Sequence, residues 1–305
     1  MTEAQLPTFF LLGAGRSGSS SLAAHLAEHP DVFFPHLKEP SFLASSFQVI
    51  SDPGDYVDLY RGVDAAQRGD GSHIYLEDPR SPDIIQAFCP DARFVLIVRN
   101  PADRAFALYL WMAAKGFEPL PSFEAALAAE DERFTSERFR RTHPQSFWNS
   151  MYFRSGLFGE QIARYLERWP RDRFFATTFY EYLTDPGRVI GEIEEFLGVE
   201  PVDLGAPPHL RESVGTRSNR VSALRRRIFE PHVRKGRPRL STLSARIDTW
   251  NQGVPKPTID PGTRAGLVDR YRDDLALLAD LLDVDVLTEE ARWRAARDVD
   301  APDAP

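Results

Sequence analysis

A glycine- and serine-rich loop near the start of the chain limits the available folds more than any other feature of the sequence. Residues 8–12 form a short apolar run of the kind found in buried strands, and the loop GAGRSGSSS at residues 13–21 follows directly. A helical pattern of apolar residues then occupies residues 19–28. A strand that turns into a helix through such a loop directs backbone N–H groups and the helix dipole toward an anion. The segment therefore predicts an α/β fold with a phosphate-binding turn.

Further strand and helix patterns alternate along the chain. The run Arg93–Val98 (RFVLIV) is the clearest buried strand. Strand patterns also occur at residues 74–76 and 173–178, and helical patterns at residues 82–88, 102–114, 123–129, 155–169, 185–197 and 261–282. Such alternation predicts a P-loop-like three-layer α/β domain, in which helices flank a central parallel sheet. We expect a single domain over residues 1–297 and a frayed tail at residues 298–305.

Composition and charge exclude several classes of protein. The chain has 305 residues, a formal net charge of −8 and one cysteine, Cys89. General nucleic-acid binding is disfavoured, because it needs cations that replace phosphate counterions. One cysteine permits no intrachain disulfide, and no apolar run is long enough for a signal-peptide core or a membrane span. We therefore expect a cytoplasmic protein without an integral membrane segment.

One stretch of the chain departs from this acidic balance. Residues 211–246 contain eleven lysines and arginines against two acids, which is a local charge of +9. The remaining residues then carry −17, since the whole chain carries −8. Such asymmetry predicts either a segment that serves a local anion or a solvated, partly mobile loop.

The loop after the first strand resembles a nucleotide P-loop without its lysine. Gly13 and Gly18 occupy the two glycine positions, but Ser19 stands where an NTPase has lysine. Arg16 supplies a cation earlier in the loop. The predicted phosphate ligands are Gly15, Arg16, Ser17, Gly18, Ser19 and Ser20. Such a loop suits a 5′-phosphate and is poorly equipped to hydrolyse ATP.

A second strand-to-helix turn carries two arginines. Arg99 follows the strand Arg93–Val98, and Arg104 lies further along the helical pattern. Because ligands of open α/β sheets bind at the carboxyl ends of the strands, we interpret this turn as a second phosphate site. Taken singly, arginines at such positions are more often surface ion-pair partners.

Together these segments resemble the sulfotransferases that use 3′-phosphoadenosine 5′-phosphosulfate (PAPS), especially the bacterial and Golgi carbohydrate-type branch that includes heparan sulfate sulfotransferases. LLGAGRSGSSSL corresponds to the family's 5′-phosphosulfate loop, with Arg16 in place of the usual lysine. RFVLIVRNPADRAFALY corresponds to its 3′-phosphate element, in which Arg99 matches the arginine and Ala107 replaces a serine. HLKEPSF and GDGSHIYL resemble the family's KEPxFF and GExSPxYL motifs, so the resemblance covers roughly residues 8–200. It implies PAPS as co-substrate, 3′-phosphoadenosine 5′-phosphate (PAP) as product, and no metal.

The resemblance also implies two candidate general bases for an acceptor hydroxyl. Glu39 matches the glutamate of the first motif, and Asp70, one methylene shorter, matches that of the second. His73 is a third candidate, because an imidazole titrates near neutral pH. We rank Glu39 first, Asp70 second and His73 third, with Arg16 and Lys38 stabilising the leaving phosphate.

The predicted function is in-line transfer of a sulfuryl group from PAPS to a hydroxyl of a carbohydrate, lipid or small-molecule acceptor. Arg217 and Arg220, in the basic segment, are predicted by position to contact the nucleotide. Two alternatives stay open: a P-loop kinase or NTPase, which the missing lysine disfavours, and a non-catalytic nucleotide-binding protein. A metalloenzyme is disfavoured, because the sequence has no HExxH pair, no clustered cysteines and no EF-hand pattern. No motif specifies the acceptor or an oligomeric state.

Overall fold

The computed structural model describes residues 5–37, 39–207, 215–233, 238–252 and 254–300. Within them the strands are β1 (Phe9–Leu12), β2 (Val32–Phe33), β3 (Gln67–Asp70), β4 (Arg93–Val98) and β5 (Phe174–Thr178). The helices of the same residues are α1 (Ser19–Leu26), α2 (Pro53–Asp58), α3 (Ile74–Glu77), α4 (Ser81–Phe88), α5 (Pro101–Lys115), α6 (Phe123–Ala128), α7 (Glu130–Thr135), α8 (Glu137–Thr142), α9 (Phe158–Leu166), α10 (Phe179–Thr184), α11 (Pro186–Leu197), α12 (Asn219–Val233), α13 (Pro238–Asn251), α14 (Pro261–Arg270), α15 (Arg272–Leu282) and α16 (Val286–Asp300). Short 3-10 turns lie at Pro144–Ser146, Trp148–Ser150, Arg154–Gly156 and Arg171–Arg173.

The five described strands form one parallel sheet in the order β2-β3-β1-β4-β5. The central strand is β1, where Phe9 pairs with Gly69 of β3 on one side and with Arg93 of β4 on the other. Because the strands run in the same direction, their carboxyl ends meet at one side of the sheet, which we call the carboxyl edge. The predicted α/β fold with a central parallel sheet is confirmed.

The central strands are apolar because both of their faces are covered. All four residues of β1 are buried, as are the last five of β4. On one face, Leu22 and Leu26 of α1 and Ile193 of α11 form a core with Leu11 and Ile97 of the strands. This core fixes β1, β4 and α1, and with them the turns at the carboxyl edge.

The contacts divide the chain into two compact units. The first unit takes the described parts of residues 1–101, 157–210 and 270–305, and it contains the sheet with α1–α4, α9–α11, α15 and α16. The second unit takes the described parts of residues 102–156 and 211–269, and it contains α6–α8, α12, α13 and nearly all of α5 and α14. The single-domain assignment to residues 1–297 stays a prediction.

One predicted strand is wrong. Residues 74–76 belong to α3, and the strand lies earlier, at β3, whose sequence is QRGD. At Gly69 a Cβ would lie 2.6 Å from the ring of Phe9 and 2.5 Å from that of Phe34, so only glycine fits there. The next residue, Asp70, is buried with its carboxylate hydrogen-bonded. A buried strand built from a glycine and a hydrogen-bonded acid carries no apolar pattern to recognise.

The helices predicted at residues 155–169 and 261–282 have different bounds in the structure. The pattern at residues 261–282 is two helices, α14 and α15, and the helix expected at residues 155–169 begins only at Phe158. The Asp274 carboxylate of α15 accepts hydrogen bonds from the N–H groups of Gly159 and Glu160 in the first turn of α9, at 3.0 and 2.9 Å. The first turn of α9 is therefore stabilised by a side chain from a distant helix, in addition to local propensity.

The basic segment is helical where the structure describes it. Within residues 211–246 the described parts belong to α12 and α13, apart from the short stretch 215–218. The mobile-loop interpretation is therefore wrong for these parts. At the end of the chain, α16 continues to Asp300, past the expected start of fraying, and residues 301–305 lie outside the described residues.

Candidate active site

Four turns meet at the carboxyl edge of the sheet. Residues 13–18 follow β1, residues 71–73 follow β3, Arg99 and Asn100 follow β4, and Phe179 follows β5. Since β3, β1, β4 and β5 are neighbours in that order, the two predicted phosphate-binding turns lie side by side on β1 and β4. The turn that carries His73 lies on the other side of the β1 loop.

The loop after β1 is closed by its own backbone. The N–H of Ser17 donates to the Ala14 carbonyl at 3.0 Å, and the N–H groups of Ser21 and Leu22 donate to that of Gly18 at 3.0 and 3.2 Å. Gly18 caps α1 without a side-chain hydrogen bond, and the first turn of α1 has no acidic residue. The positive end of the helix dipole is therefore not offset by a carboxylate of its own helix. This arrangement suits a bound anion.

Position 18 requires glycine for two reasons, its backbone conformation and the close approach of a neighbouring ring. Its φ is +102°, a conformation that L side chains rarely adopt. A Cβ there would lie 2.7 Å from Cδ2 of Phe179. The same Phe179 ring lies 4.9 Å from the guanidinium carbon of Arg99, close enough for a cation–π contact. The ring thus connects the loop after β1 to the arginine after β4.

Arg16 and Arg99 are like charges held near each other. Burial, and then the Arg99 guanidinium, lower the pKa of Arg16 below its usual value. Among the described residues, Nε of Arg99 and Oγ of Ser17 are buried donors without a hydrogen-bond partner. Two repelling cations and two unsatisfied donors fit an anion with several oxygens, such as a nucleotide phosphate.

The turn after β4 is anchored by a buried amide. Asn100 is fully buried, and its Nδ2 donates to Oε2 of Glu290 on α16 at 2.5 Å. This contact joins the last described helix to the residue beside Arg99. It fixes the backbone from which Arg99 projects.

Glu39 and His73 form a pair near the carboxyl edge. Nδ1 of His73 lies 2.7 Å from Oε2 of Glu39, although the two residues are 34 positions apart. An ionised carboxylate only accepts hydrogen bonds, so the proton on Nδ1 is the donor in this pair. The Glu39 side chain is 31% exposed and that of His73 19%, so solvent or an acceptor can reach both. Both residues are candidate bases predicted from the motifs, and the structure brings them together.

The backbone around Glu39 is strained, and hydrogen bonds to residues that follow β3 hold it in place. Glu39 and Ser41 have φ values of +66° and +54°, which are unusual for residues other than glycine. The N–H of Ser41 donates to Oγ of Ser72 at 3.0 Å, and the N–H of Leu43 donates to the Tyr75 hydroxyl at 3.3 Å. The segment that carries Glu39 therefore depends on residues that follow β3.

Asp70 accepts hydrogen bonds from the residues that hold the Glu39 segment. Its burial contradicts its predicted role as a base. Its side chain is fully buried. One carboxylate oxygen accepts from Oγ of Ser72 at 2.7 Å and from the Ser72 N–H at 3.0 Å, and the other accepts from the hydroxyls of Tyr56 and Tyr75 at 2.8 and 2.9 Å. Burial raises the pKa of Asp70, while hydrogen bonds from Ser72, Tyr56 and Tyr75 act against the rise. A carboxylate enclosed in this way supports the Glu39 segment and is not positioned to receive a proton from an acceptor.

A second buried acid holds the far end of the same segment. Asp78, which is fully buried, accepts from the N–H groups and hydroxyls of Ser45 and Ser46 at 2.8–3.0 Å. Residues 39–46 are therefore attached at both ends to the part of the chain that follows β3. Neither Asp78 nor the tyrosines around Asp70 carry a sequence signal that would have identified these roles.

Other predicted site residues lie elsewhere or were missed. Lys38 lies outside the described residues. Ala107 is 4% exposed on α5 in the second unit, and its methyl group cannot donate the hydrogen bond of the family serine. Arg104 is fully buried, where its Nη2 donates to the Tyr152 carbonyl at 2.6 Å, so our interpretation of it as a phosphate ligand is wrong. Phe179 was missed, because its contacts depend on the pairing of β5 with β4.

The two basic-segment arginines are exposed in the second unit. Nε of Arg217 donates to the Trp250 carbonyl at 2.8 Å, and Arg220 lies in the first turn of α12. Their assignment to the nucleotide stays a prediction. So do the roles predicted for Gly15, Ser19 and Ser20 of the first-unit loop.

Neither a metal-binding cluster nor a membrane-spanning helix occurs within the part of the chain that the structure describes. Within the residues that the structure describes, no group of three or more histidine, cysteine, aspartate or glutamate side chains is arranged to hold a metal ion. Of the helices in those same ranges, none is long and apolar enough to cross a membrane.

Comparison with known proteins gives the same assignment as the motifs. A family model described as a sulfotransferase domain matches residues 6–214. Heparan sulfate glucosamine 3-O-sulfotransferase 6 from Mus musculus is 26% identical over 203 residues, which is 65% of this chain and 54% of that protein. Heparan sulfate glucosamine 3-O-sulfotransferase 3B1 from Homo sapiens is 24% identical over 201 residues, covering 65% of this chain and 47% of that protein. The chain thus spans about half the length of the curated relatives it matches.

A solved structure extends the similarity over nearly the whole chain. The crystal structure of a sulfotransferase from Alicyclobacillus acidocaldarius superimposes with a TM-score of 0.68 and 26% identity, covering 95% of this chain and 99% of that one. The family match covers more than half of the chain, and it includes both predicted phosphate-binding turns and the Glu39 and Asp70 segments. The chain belongs to the PAPS-dependent sulfotransferase family, as its motifs predict.

Proposed function

We propose that this protein transfers the sulfuryl group of PAPS to a hydroxyl of a carbohydrate, lipid or small-molecule acceptor, with Glu39 as general base. The observation that carries the proposal is the pair of repelling arginines, Arg16 and Arg99, at the carboxyl ends of adjacent strands. A nucleotide with phosphates at both its 5′ and 3′ positions offers two separate anions to such a pair. An ATP-hydrolysing site would instead need lysine at position 19, where this chain has Ser19.

The proposed roles follow from the geometry of the loop. Arg16 and the N–H groups at the start of α1 hold the 5′-phosphate, and Arg99 holds the 3′-phosphate. As the acceptor oxygen forms its bond to sulfur, the bond between sulfur and the 5′-phosphate oxygen breaks, and charge accumulates on that oxygen. Fixed positive charge at the loop stabilises the charge that develops. No metal is needed for this step, because the sulfuryl group carries less charge than a phosphoryl group.

Glu39 receives the proton of the acceptor hydroxyl in this proposal. Its partial exposure and its contact with His73 support the assignment, since the imidazole N–H holds the carboxylate in one orientation. His73 is the alternative base, because with its proton on Nδ1 the other ring nitrogen is an acceptor. In that case Glu39 orients the imidazole. Asp70 is proposed as a positioning residue that holds the Glu39 segment through Ser72 and Tyr75.

The acceptor and the compartment are proposed only at the level of class. The names of the relatives specify heparan sulfate glucosamine, which is a carbohydrate. The net charge of −8 disfavours a long polyanionic glycan, so a carbohydrate acceptor would be a short one, and lipid and small-molecule hydroxyls stay part of the proposal. Cytoplasmic localisation stays a prediction.

Calorimetric titration with PAP, and in parallel with ATP and Mg²⁺, tests the donor assignment. We expect binding of PAP and much weaker binding of ATP with Mg²⁺. A matched variant, Arg16→Ala, should weaken PAP binding by about 10- to 100-fold, which corresponds to loss of a charged hydrogen bond. Preference for ATP with Mg²⁺ would contradict the proposal and favour phosphoryl transfer. PAP binding without turnover in an acceptor screen would favour the non-catalytic alternative.

Three substitutions identify the base once turnover is measured. If Glu39 is the base, Glu39→Gln lowers kcat by about 10²- to 10⁴-fold and leaves PAP affinity within about twofold, whereas His73→Asn has a smaller effect. The reverse order of effects would assign the base to His73. Asp70→Asn should lower stability and kcat together, because two buried tyrosine hydroxyls lose a charged acceptor. Glu195→Gln, at an exposed position of α11, is the surface control and should change neither quantity.

A further inference from the structure

The helices α12 and α13 of the second unit form an antiparallel hairpin with a polar seam. Nδ2 of Asn251, at the end of α13, donates to Oγ of Ser222 near the start of α12, at 2.8 Å. Further along, Nη1 of Arg225 donates to Oγ of Ser244 at 3.1 Å, and Nε of Arg225 lies 3.0 Å from the Asp248 carboxylate. These contacts fix which side of each helix faces the other.

One side of the hairpin packs on the rest of the second unit. A Cβ on Gly116 would lie 2.3 Å from the Ser222 carbonyl oxygen, so the end of α5 and α12 are in direct contact. The guanidinium of Arg226 lies 3.4 Å from the ring centroid of Phe117. This side is therefore covered within the unit.

The opposite side exposes four large apolar side chains. Leu224 is 57% and Ile228 47% exposed on α12, and Leu243 is 47% and Trp250 59% exposed on α13. Their spacings of four and seven residues place each pair on one face of its helix. We call these four side chains the apolar face.

The seam shows that the two helices present the apolar face on the same side. Three residues of the apolar face directly precede a residue of the seam. They are Leu224 before Arg225, Leu243 before Ser244, and Trp250 before Asn251. Each is therefore rotated by about 100° from the seam in the same helical sense. Because the helices are antiparallel, equal rotations bring their side chains to one side of the hairpin.

The hairpin that carries the apolar face has a net positive charge. The sequences of α12 and α13 contain six arginines against two acids, Glu230 and Asp248, and Asp248 is paired with Arg225 in the seam. Arg227 and Arg246 are exposed, one on each helix. This positive charge contrasts with the net −8 of the whole chain, so it favours one orientation against an anionic surface.

We propose that the apolar face of this hairpin binds the surface of a membrane that contains anionic lipid. Leucine, isoleucine and tryptophan side chains enter the boundary between headgroups and acyl chains, and the flanking arginines meet lipid phosphates. A soluble polyanion would use the arginines but leave the apolar side chains in water. A second copy of the chain would bury the apolar side chains but bring like charges together. The inference does not depend on the proposed sulfuryl transfer.

Co-sedimentation of the full chain with lipid vesicles tests the proposal. We expect binding to vesicles that contain phosphatidylglycerol, weaker binding to vesicles of phosphatidylcholine alone, and loss of the difference at high salt. Trp250→Gln and Leu224→Gln should each weaken binding about tenfold or more, because each removes a large apolar contact. Arg227→Gln and Arg246→Gln should each weaken it about fivefold at low salt. Leu277→Gln, which alters a leucine 39% exposed on α15 of the first unit, is the matched control and should bind as the unaltered protein does.

Several results would overturn the proposal. The first is no binding of the unaltered chain to phosphatidylglycerol vesicles, and the second is equal loss in Leu277→Gln and Trp250→Gln. Concentration-dependent dimerisation that Trp250→Gln abolishes would assign the face to a second copy. Binding to soluble dextran sulfate that competes with vesicles and is unchanged in Trp250→Gln would assign the arginines to a soluble polyanion. Circular dichroism of each variant separates these outcomes from unfolding.

Discussion

The contact between Gly18 and Phe179 allows the role of the loop to be tested by adding one methyl group. Gly18→Ala places a Cβ 2.7 Å from the Phe179 ring, at a residue whose φ is +102°. The positive φ costs about 1–2 kcal/mol for an L residue, and overpacking against the ring costs about 1–3 kcal/mol more. We expect a total destabilisation of the loop of about 2–5 kcal/mol.

The chain contains a matched control for the backbone part of this cost. Gly62 has φ +73°, and a Cβ on it would meet nothing within 4 Å. Gly62→Ala should therefore lower the free energy of unfolding only by the backbone term, about 1–2 kcal/mol. The excess of Gly18→Ala over Gly62→Ala measures the steric contact with Phe179.

The functional consequence concerns Arg99 as well as the loop. Since the Phe179 ring lies against both Gly18 and the Arg99 guanidinium, a displaced ring also disturbs Arg99, the proposed ligand of the 3′-phosphate. We expect Gly18→Ala to weaken PAP binding at least about tenfold, which corresponds to 1.4 kcal/mol. Gly62→Ala should leave the Kd within about twofold.

Calorimetry with PAP and thermal unfolding under identical conditions provide both readouts. The double variant Gly18→Ala/Phe179→Leu should recover part of the lost stability, because a leucine side chain is shorter than the ring. It should not recover full PAP affinity, because Arg99 has lost its aromatic contact. Unchanged PAP affinity in Gly18→Ala would refute a role of the Gly18–Phe179 contact in binding. The same holds if Gly62→Ala loses as much PAP affinity as Gly18→Ala.

Two further predictions concern charge and reactivity. Arg99→Ala should weaken PAP binding by about 10- to 100-fold and make the remaining binding less sensitive to salt, whereas Arg61→Ala, at an exposed ion pair with Asp58, should change neither quantity in the same titrations. Burial, and then the charge of Asp70, raise the pKa of Cys89 to about 12, so at pH 8 only about one thiol in 10⁴ is ionised. A maleimide or disulfide reagent should therefore label Cys89 only after unfolding, and rapid labelling of the native protein would contradict its burial.

Local sequence patterns predicted the parts of the fold that local physics determines. The strand Arg93–Val98 has the predicted bounds, because an apolar run buried on both faces needs no partner to be recognised. The helix α11 begins after Asp185, whose side chain accepts from the N–H of Arg188 at 3.0 Å, with Pro186 in the first helical position. The start of this helix was predictable because cap and proline signals act within one turn.

The parts that failed depend on distant residues. β3 has no apolar pattern, because its burial rests on the rings of Phe9 and Phe34 and on hydroxyls around Asp70. The two positive-φ residues Glu39 and Ser41 also carry no signal in a single sequence. The motifs identified Glu39 and His73 separately, but their pairing follows from the way that residues 39–46 are held against the turn after β3. The sequence could therefore supply the candidate bases but not the contact between them.

The central position of β1 also has a consequence during synthesis. Its apolar residues, FFLL, leave the ribosome well before their partners in β4, which lie more than 80 positions later in the chain. At about 5–20 residues per second, β4 follows β1 by roughly 4–17 s. Until β4 has been made, the edge of β1 that pairs with it is open to other chains and to chaperones, even after β3 is available for the other edge. A chain released before residue 93 leaves that edge of β1 unpaired, and the loop after β1 has no neighbouring strand to carry Arg99.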